Sequence, residues 1–262
     1  MSETDTVIAA LRREHEQLTA LVGTFTEDDL RRPSGASDWD VSQVLSHLGS
    51  GAVLNLATLQ GALKEAGEAT EPTVIWARWN AMSPRERAEE FIAADTVLVD
   101  RYERLTDAER TGLLLDVGFL PFPLTVAMAG RMRLNEIVLH AWDVRVAFDE
   151  AAVLDPATVA VVLNREPNLI GWLGRTEVLD GRTLDLQVIT SEPESRFTLR
   201  LGEKVEVLMD DVSGRSDGSL RLPAEAWHRL VAGRLAADRT PAGIEVSGAA
   251  DLDLLRRVFP GY

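Results

Sequence analysis

The stretch RLNEIVLHAWD (residues 133–143) places a glutamate and a histidine four residues apart inside an apolar run. Its apolar residues recur at helical spacing, so we expect a largely buried helix over about residues 124–148. Glu136 and His140 then share one face of that helix, with Cβ atoms about 5–6 Å apart. The spacing allows two interpretations, a side-chain hydrogen bond between the two residues or a pair of ligands for one metal ion.

Three further helices are predicted upstream of this stretch. Apolar residues repeat at helical spacing over residues 5–22, and a second helix should run from about residue 41 to 64. Asp40 followed by Gln43 is the pattern of a capping box at the start of that helix. Ser83 before Pro84 marks the start of the third. Four long helices without strand signals predict an all-α four-helix bundle, which we assign to residues 1–152.

The pattern changes in the second half of the chain. The segments TLDLQVIT, RFTLRLG and KVEVLMD (183–190, 196–202 and 204–210) alternate apolar and polar residues, as half-buried strands do. SLRL and GIEVSG (219–222 and 243–248) add two shorter strands, and helices are expected at 224–234 and 251–259. Residues 153–262 therefore predict a smaller α+β domain with a mostly antiparallel sheet.

Composition excludes several classes of function. The chain has 262 residues with 42 acidic and 27 basic side chains, a net charge of −15, which disfavours nucleic acid and anionic membranes as partners. No apolar run reaches the roughly 20 residues that span a bilayer, and the N-terminus lacks the order of a signal peptide, so we expect a cytoplasmic protein. The chain has no cysteine, so any thiol chemistry must use a thiol from outside.

A metal site at Glu136 and His140 would need a third ligand from another helix. The chain has four histidines, and His47 on the second helix is the best candidate. Two imidazoles and one carboxylate suit zinc and leave a coordination position open. His15 and His228 have charged or polar neighbours, and we expect both to lie on faces that can be solvated.

Two residues beside this pair have open roles. Asp143 lies about one turn beyond His140, where it could orient that histidine, bind a polar substrate group at the rim of a cavity, or be a solvated aspartate paired with Arg145 or another neighbour. Arg133 is equally ambiguous. Sequence motifs for nucleotide binding or for a serine nucleophile are not found, although a Ser–His–Asp arrangement cannot be judged from sequence.

Two motifs together resemble those of one known family. SDWDVSQVLSHLGS (37–50) is similar to a tryptophan followed by His-Leu, and LNEIVLHAWDVRVAF (134–148) to a Glu-x-x-x-His-x-x-Asp motif. Both are typical of the mycothiol-dependent maleylpyruvate isomerase family, among the DinB-like metal-binding bundles. The family's domain order is also similar, with a helical bundle followed by a smaller sterol-carrier-like domain.

The resemblance implies a site and a mechanism. It implies that His47, Glu136 and His140 bind zinc or another divalent metal, and that Asp143 lies near the thiol cofactor. It places an arginine from the second domain in the active site, which we assign to Arg234. The implied cofactor is mycothiol, whose zinc-bound thiolate would add to an electrophilic small molecule.

The sequence allows more than one reaction and more than one oligomeric state. The same thiolate could catalyse cis–trans isomerisation of a maleylpyruvate-type substrate, or it could be transferred to an electrophile. The alternative class is a non-catalytic protein that binds a metal or a small apolar ligand. The chain could be a monomer or a homodimer.

Overall fold

A computed structural model describes residues 2–65, 71–163, 170–171, 173–209 and 216–261. The chain divides into two compact units, Met1–Ala152 and Val153–Tyr262. The first is helical, and the second combines helices with a five-stranded sheet. The predicted order, a helical part followed by an α+β part, is confirmed.

Seven helices are described in the first unit, of which four have 20 to 22 residues. In chain order they are α1 (Glu3–Val22), α2 (Glu27–Leu30), α3 (Val41–Ala62), α4 (Pro72–Asn80), α5 (Pro84–Glu103), α6 (Asp107–Gly112) and α7 (Val126–Arg145). The four long helices α1, α3, α5 and α7 correspond to the four predicted from sequence.

The predicted helix starts are confirmed by their hydrogen bonds. Asp40 accepts a bond from the backbone N–H of Gln43 at 2.8 Å, and the Gln43 side chain accepts one from the N–H of Asp40 at 2.9 Å. Ser83 caps α5 in the same way, with Pro84 as the first helical residue. These bonds satisfy backbone donors that a helix start would otherwise leave unpaired.

Each long helix packs against two of the other three. Helix α3 lies against α5 and α7, and α1 lies against the same two helices. The contacts use the apolar faces that the helical spacing predicts, including Leu11 and Leu18 on α1 and Leu45 and Leu48 on α3. This packing brings α3 and α7, which carry the predicted metal ligands, into contact.

The expectation of an all-α first part is wrong in one detail. Two short strands, β1 (Leu114–Leu115) and β2 (Leu124–Thr125), pair antiparallel on either side of residues 116–123. Two-residue strands are too short to show an alternating pattern, so sequence periodicity does not reveal them. Helix α4 was not predicted as a separate helix either.

The described part of the second unit has three α-helices and one sheet. The elements are α8 (Pro156–Val162), β3 (Leu184–Ser191), β4 (Ser195–Leu201), β5 (Val205–Leu208), β6 (Gly218–Pro223), α9 (Ala224–Val231), β7 (Glu245–Gly248) and α10 (Leu252–Val258). The strand order is β5-β4-β3-β6-β7, with β3 and β6 parallel and the other neighbours antiparallel. Asp210, at the end of the predicted third strand, lies outside the described residues.

Alternate residues of strand β3 are buried, as the alternating sequence pattern predicts. Leu184, Leu186 and Val188 on β3 are buried, while the residues between them are only partly covered. This one-sided burial is typical of a sheet that packs helices on one face. Among the described residues, no helix combines the length and apolar character needed to cross a membrane.

Candidate metal centre

The three predicted ligands come together between α3 and α7. His47 on α3 places its Nε2 3.2 Å from Glu136 Oε2, and His140 Nε2 lies 3.7 Å from the same oxygen. The ring centroids of His47 and His140 are 4.6 Å apart. One donor atom from each residue falls within 4.8 Å of the others, which is close enough for a single ion to contact all three.

The group is buried on one side and accessible on the other. The His140 side chain is only 7% exposed, whereas those of His47 and Glu136 are 42% and 36% exposed. A ligand set with a buried back and an open front can hold an ion and still admit a further ligand. Catalytic metal sites need such an open position.

Asp143 determines how His140 is oriented. Its carboxylate Oδ2 lies 2.8 Å from His140 Nδ1, and its side chain is fully buried. This carboxylate holds the Nδ1 edge of the ring, so Nε2 is the nitrogen that faces Glu136. The alternative of a solvated Asp143 paired with Arg145 is therefore wrong, and Arg145 instead approaches Glu14 at 3.3 Å.

Burial would raise the pKa of Glu136, but its neighbours outweigh that effect. The hydrogen bond with His47 and the charges of His140, His47 and Arg133 hold the pKa of Glu136 below its ordinary value. The carboxylate is thus favoured in its ionised form, which is the form that binds a cation.

Trp39 lies against the two histidines, and the sequence assigned it no role at the metal-binding group. Its ring centroid lies 5.4 Å from that of His47 and 6.2 Å from that of His140. The loop before α3 holds it there, since Ser34 N–H donates to the Trp39 carbonyl at 3.0 Å. The tryptophan formed part of the quoted motif, which was the signal available for it.

Gly35 anchors the same loop to α7. Its N–H donates to the Asp143 carbonyl at 2.8 Å. A Cβ at this position would lie 2.8 Å from Val146 Cγ1 and 3.0 Å from Asp143 Cα, so a larger residue would push the loop away. No local sequence pattern reveals this contact, because its partner lies more than 100 positions away in the chain.

Arg133 and His15 belong to a buried polar network next to this group. Arg133 Nη2 donates to Asp95 Oδ1 at 2.7 Å and to the Leu48 carbonyl at 2.9 Å. His15 Nδ1 lies 2.8 Å from the other Asp95 oxygen. Burial would raise the pKa of Asp95, but the charge of Arg133 and the hydrogen bonds from His15 and Arg133 lower it. The expectation that His15 lies on a solvated face is wrong.

The polar contacts run from Asp95 through His15 to Thr96. This series of a carboxylate, an imidazole and a hydroxyl resembles the Asp–His–Ser arrangement of serine hydrolases. Thr96 Oγ1 lies 3.2 Å from His15 Nε2, but it also lies 2.6 Å from the Ile92 carbonyl, four residues earlier on α5. A helical threonine hydroxyl that donates to the preceding turn is not presented to a substrate. We therefore interpret this arrangement as structural.

Arg234 lies in the second unit, just after α9. It is buried, and its Nη1 donates to the Ala232 carbonyl at 3.0 Å. Its assignment to the active site stays a prediction from the resemblance.

His228 on α9 is only partly exposed. Its Nε2 is buried and, within the described residues, has no hydrogen-bond partner. Burial, with a contribution from the charge of Arg234, lowers the pKa of His228 to about 4 from an ordinary 6.5. The folded protein thus keeps this ring neutral at pH values where an unfolded chain protonates it.

This difference predicts an acid-sensitive second unit. Between pH 6.5 and about 4 the unfolded chain binds more protons than the folded one at His228, so stability falls as the pH is lowered through that window. We expect His228→Asn to make the stability of α9 less dependent on pH. Hydrogen exchange of the α9 amides, measured across the window in both proteins, tests this. An equal pH dependence in both proteins would contradict it.

The fold and the site together define a class of protein. Its members have a helical unit that carries two histidines and one carboxylate, followed by an α+β unit. Residues 11–145 match the model of the mycothiol maleylpyruvate isomerase N-terminal domain. The chain belongs to this family, as its two motifs predicted. The matched range contains His47, Glu136 and His140.

Two solved structures share this fold over nearly the full length. They are crystal structures of the mycothiol-dependent maleylpyruvate isomerase and of a mutant in which a histidine is replaced by alanine. Each has a TM-score of 0.61 and 15% sequence identity, with 95% of both chains covered. No curated protein sequence matches the chain.

Proposed function

We propose that the chain is a zinc-dependent enzyme that activates the thiol of mycothiol for addition to an electrophilic small molecule. The observation that carries this proposal is the group formed by His47, Glu136 and His140, with Asp143 bonded behind His140. Membership in the mycothiol maleylpyruvate isomerase family supports mycothiol as the thiol. The absence of cysteine is consistent with a thiol from outside the chain.

The donor set fits a divalent metal. Two imidazole nitrogens and one carboxylate oxygen form one of the three-ligand sets found in catalytic zinc sites. The lowered pKa of Glu136 favours its carboxylate form, and the bond between Asp143 and Nδ1 of His140 turns Nε2 toward Glu136. A metal bound here would act as a Lewis acid that lowers the pKa of a coordinated thiol.

Residues next to the three candidate ligands would orient them and cover one side of the site. Asp143 keeps the His140 ring in place, and Trp39 covers one side of the two histidines. The exposed sides of His47 and Glu136 leave room for the thiol and its substrate. The position of Asp143 near the thiol cofactor and the place of Arg234 in the active site stay predictions. We interpret the packing of α1, α3, α5 and α7 as a four-helix bundle of the DinB-like type.

The reaction we favour is addition of the mycothiol thiolate to a conjugated double bond. Rotation about the resulting single bond and elimination of the thiolate would give cis–trans isomerisation of a maleylpyruvate-type substrate. If a proton from water neutralises the enolate formed by the addition, and the adduct does not eliminate, the product is the S-transfer product. Both outcomes use the same residues, so the identity of the substrate distinguishes them.

Metal analysis combined with a thiol-dependent assay tests the proposal. We expect the purified protein to bind one divalent ion per chain, and to convert maleylpyruvate or another electrophile only when mycothiol is present. Removing the metal with a chelator should abolish turnover, and zinc should restore it. A protein that binds no divalent metal would contradict the proposal.

Metal binding without thiol-dependent turnover across a broad electrophile panel would instead favour the non-catalytic alternative. A cavity beside α9 and α10 of about 100 Å³, lined in part by Leu230, Leu235 and Phe259, bears on that alternative. Ligand pockets usually measure about 300–1,000 Å³, so this cavity gives little support to apolar ligand binding.

A further inference from the structure

The buried Arg133 links the helices that carry the metal-binding group. It lies on α7, one helical turn before Glu136, and only 2% of its side chain is exposed. Its Nη2 donates to the carbonyl of Leu48 on α3 at 2.9 Å, and Leu48 directly follows His47. One guanidinium thus connects the backbone beside one ligand to the helix that carries the other two.

Asp95 and His15 hold this guanidinium in place. Asp95 on α5 accepts a bond from Arg133 Nη2 at 2.7 Å, and its second oxygen lies 2.8 Å from His15 on α1. Neither the Asp95 nor the His15 side chain is more than 6% exposed. All four long helices therefore contribute to fixing the position of Arg133.

A glycine on α3, Gly51, leaves space for the guanidinium of Arg133. A Cβ at Gly51 would lie 3.1 Å from Arg133 Nη1, tighter than an ordinary contact. At Gly61, near the end of the same helix, a Cβ would meet no atom within 4 Å. Gly51 thus allows a close approach between α3 and Arg133 that a larger residue would widen.

Stability alone is a poor reason for this arrangement. Arg133 Nε is buried and has no hydrogen-bond partner within the described residues. Burying a charge with an unmet donor is costly, and apolar residues of similar volume often stabilise a core as well or better. The arrangement is better explained if the position of the guanidinium itself matters.

We propose that Arg133 is a positioning residue that fixes His47 on α3 at the separation from Glu136 and His140 that metal binding requires. This inference rests on the proposed metal site. Metal–ligand distances tolerate deviations of only about 0.2 Å, so small shifts between two helices matter when they supply different ligands. Arg133 limits such shifts because its bond to Leu48 resists sliding of α3 along α7, while Asp95 on α5 holds the guanidinium in place.

The test compares Arg133→Lys and Arg133→Met with Arg131→Met. Arg131 is a matched control because it is also buried on α7 and bonds Glu3 at 2.8 Å. The readouts are the zinc dissociation constant from chelator competition, the visible spectrum of bound Co²⁺, and the thermal stability of the metal-free protein. All binding is measured at temperatures where each variant is folded.

We expect both Arg133 variants to bind zinc roughly 10-fold or more weakly and to change the Co²⁺ spectrum, as replacements of groups that orient ligands do. Arg131→Met should keep the wild-type affinity and spectrum even where it lowers stability. Arg133→Lys should retain more affinity than Arg133→Met, because an ammonium can still reach one of the two acceptors.

Gly51→Ala and Gly61→Ala form a second, milder pair that leaves Arg133 present. We expect Gly51→Ala to weaken zinc binding and Gly61→Ala to leave it unchanged. Folded Arg133 variants that bind zinc with wild-type affinity and spectrum would overturn the positioning role while leaving the proposed metal site intact. If the wild-type protein itself binds no divalent metal, the proposed function fails, and this inference fails with it.

Discussion

Replacing His140 with alanine is expected to lower the affinity for a divalent metal by more than about 100-fold, since losing a group that only orients a ligand already costs about 10–100-fold. His140 is the most buried of the three candidate ligands, with 7% of its side chain exposed, and Asp143 fixes its orientation. Alanine removes the nitrogen donor and provides no substitute. Mycothiol-dependent turnover should be lost with the metal.

Metal content and metal-induced stabilisation measure this effect. A ligand present at 100 times its dissociation constant stabilises a folded protein by about 2.7 kcal/mol, so zinc should raise the melting temperature of the wild-type first unit and not that of His140→Ala. His228→Ala is the control, because it removes a histidine from the second unit. Equal zinc stabilisation of wild type and His140→Ala would show that His140 is not a ligand.

Asp95→Asn is expected to destabilise the first unit by about 3–5 kcal/mol, the usual cost of removing one partner of a buried ion pair. Asp95 is fully buried and accepts bonds from Arg133 and lies beside His15. The substitution keeps the shape of the side chain, but it leaves the Arg133 charge in the core without its counter-charge. Denaturant unfolding of the metal-free protein measures the loss.

Asp100→Asn is the matched control on the same helix. Asp100 also binds an arginine, Arg12, at 2.5 Å, but its side chain is 36% exposed. Water screens exposed ion pairs, so this change should have a much smaller effect. Comparable losses for the two variants would contradict the distinction between buried and exposed pairs.

The effect of Asp95→Asn should also depend on pH. Because Arg133 and His15 lower the pKa of Asp95 below 3.8 in the folded state, its contribution is fully present above that value and is lost as the pH falls through the lower, folded value. The stability difference between wild type and Asp95→Asn should therefore shrink in strong acid. A difference that grows in acid would contradict the assigned direction.

Local sequence signals accounted for the secondary structure where they were strong. Asp40 with Gln43, and Ser83 with Pro84, mark helix starts through bonds made within four residues, and the structure confirms both. The strands of the second unit were predicted because the alternation of apolar and polar residues is also a local pattern. The paired strands β1 and β2 were missed, because two residues carry no period.

The burial of polar side chains was harder to predict from the sequence. His15 and His228 have polar neighbours along the chain, which suggested solvated faces, yet His15 is buried beside Asp95, which is 80 positions away, and the Nε2 of His228 is buried. The contacts of Gly35 with Asp143 and of Arg133 with Asp95 are likewise long-range. A residue's neighbours in the chain do not report what other helices place against it.

The sequence by itself determined the family, the helix that carries Glu136 and His140, and the choice of His47 as the third candidate ligand. It could do so because spacing along one helix and short motifs are local properties. The tertiary structure decided that His47 meets the other two, that Asp143 is buried behind His140, and that Arg133 joins the two helices. Those features depend on how α3 and α7 pack, and packing is set by the whole core.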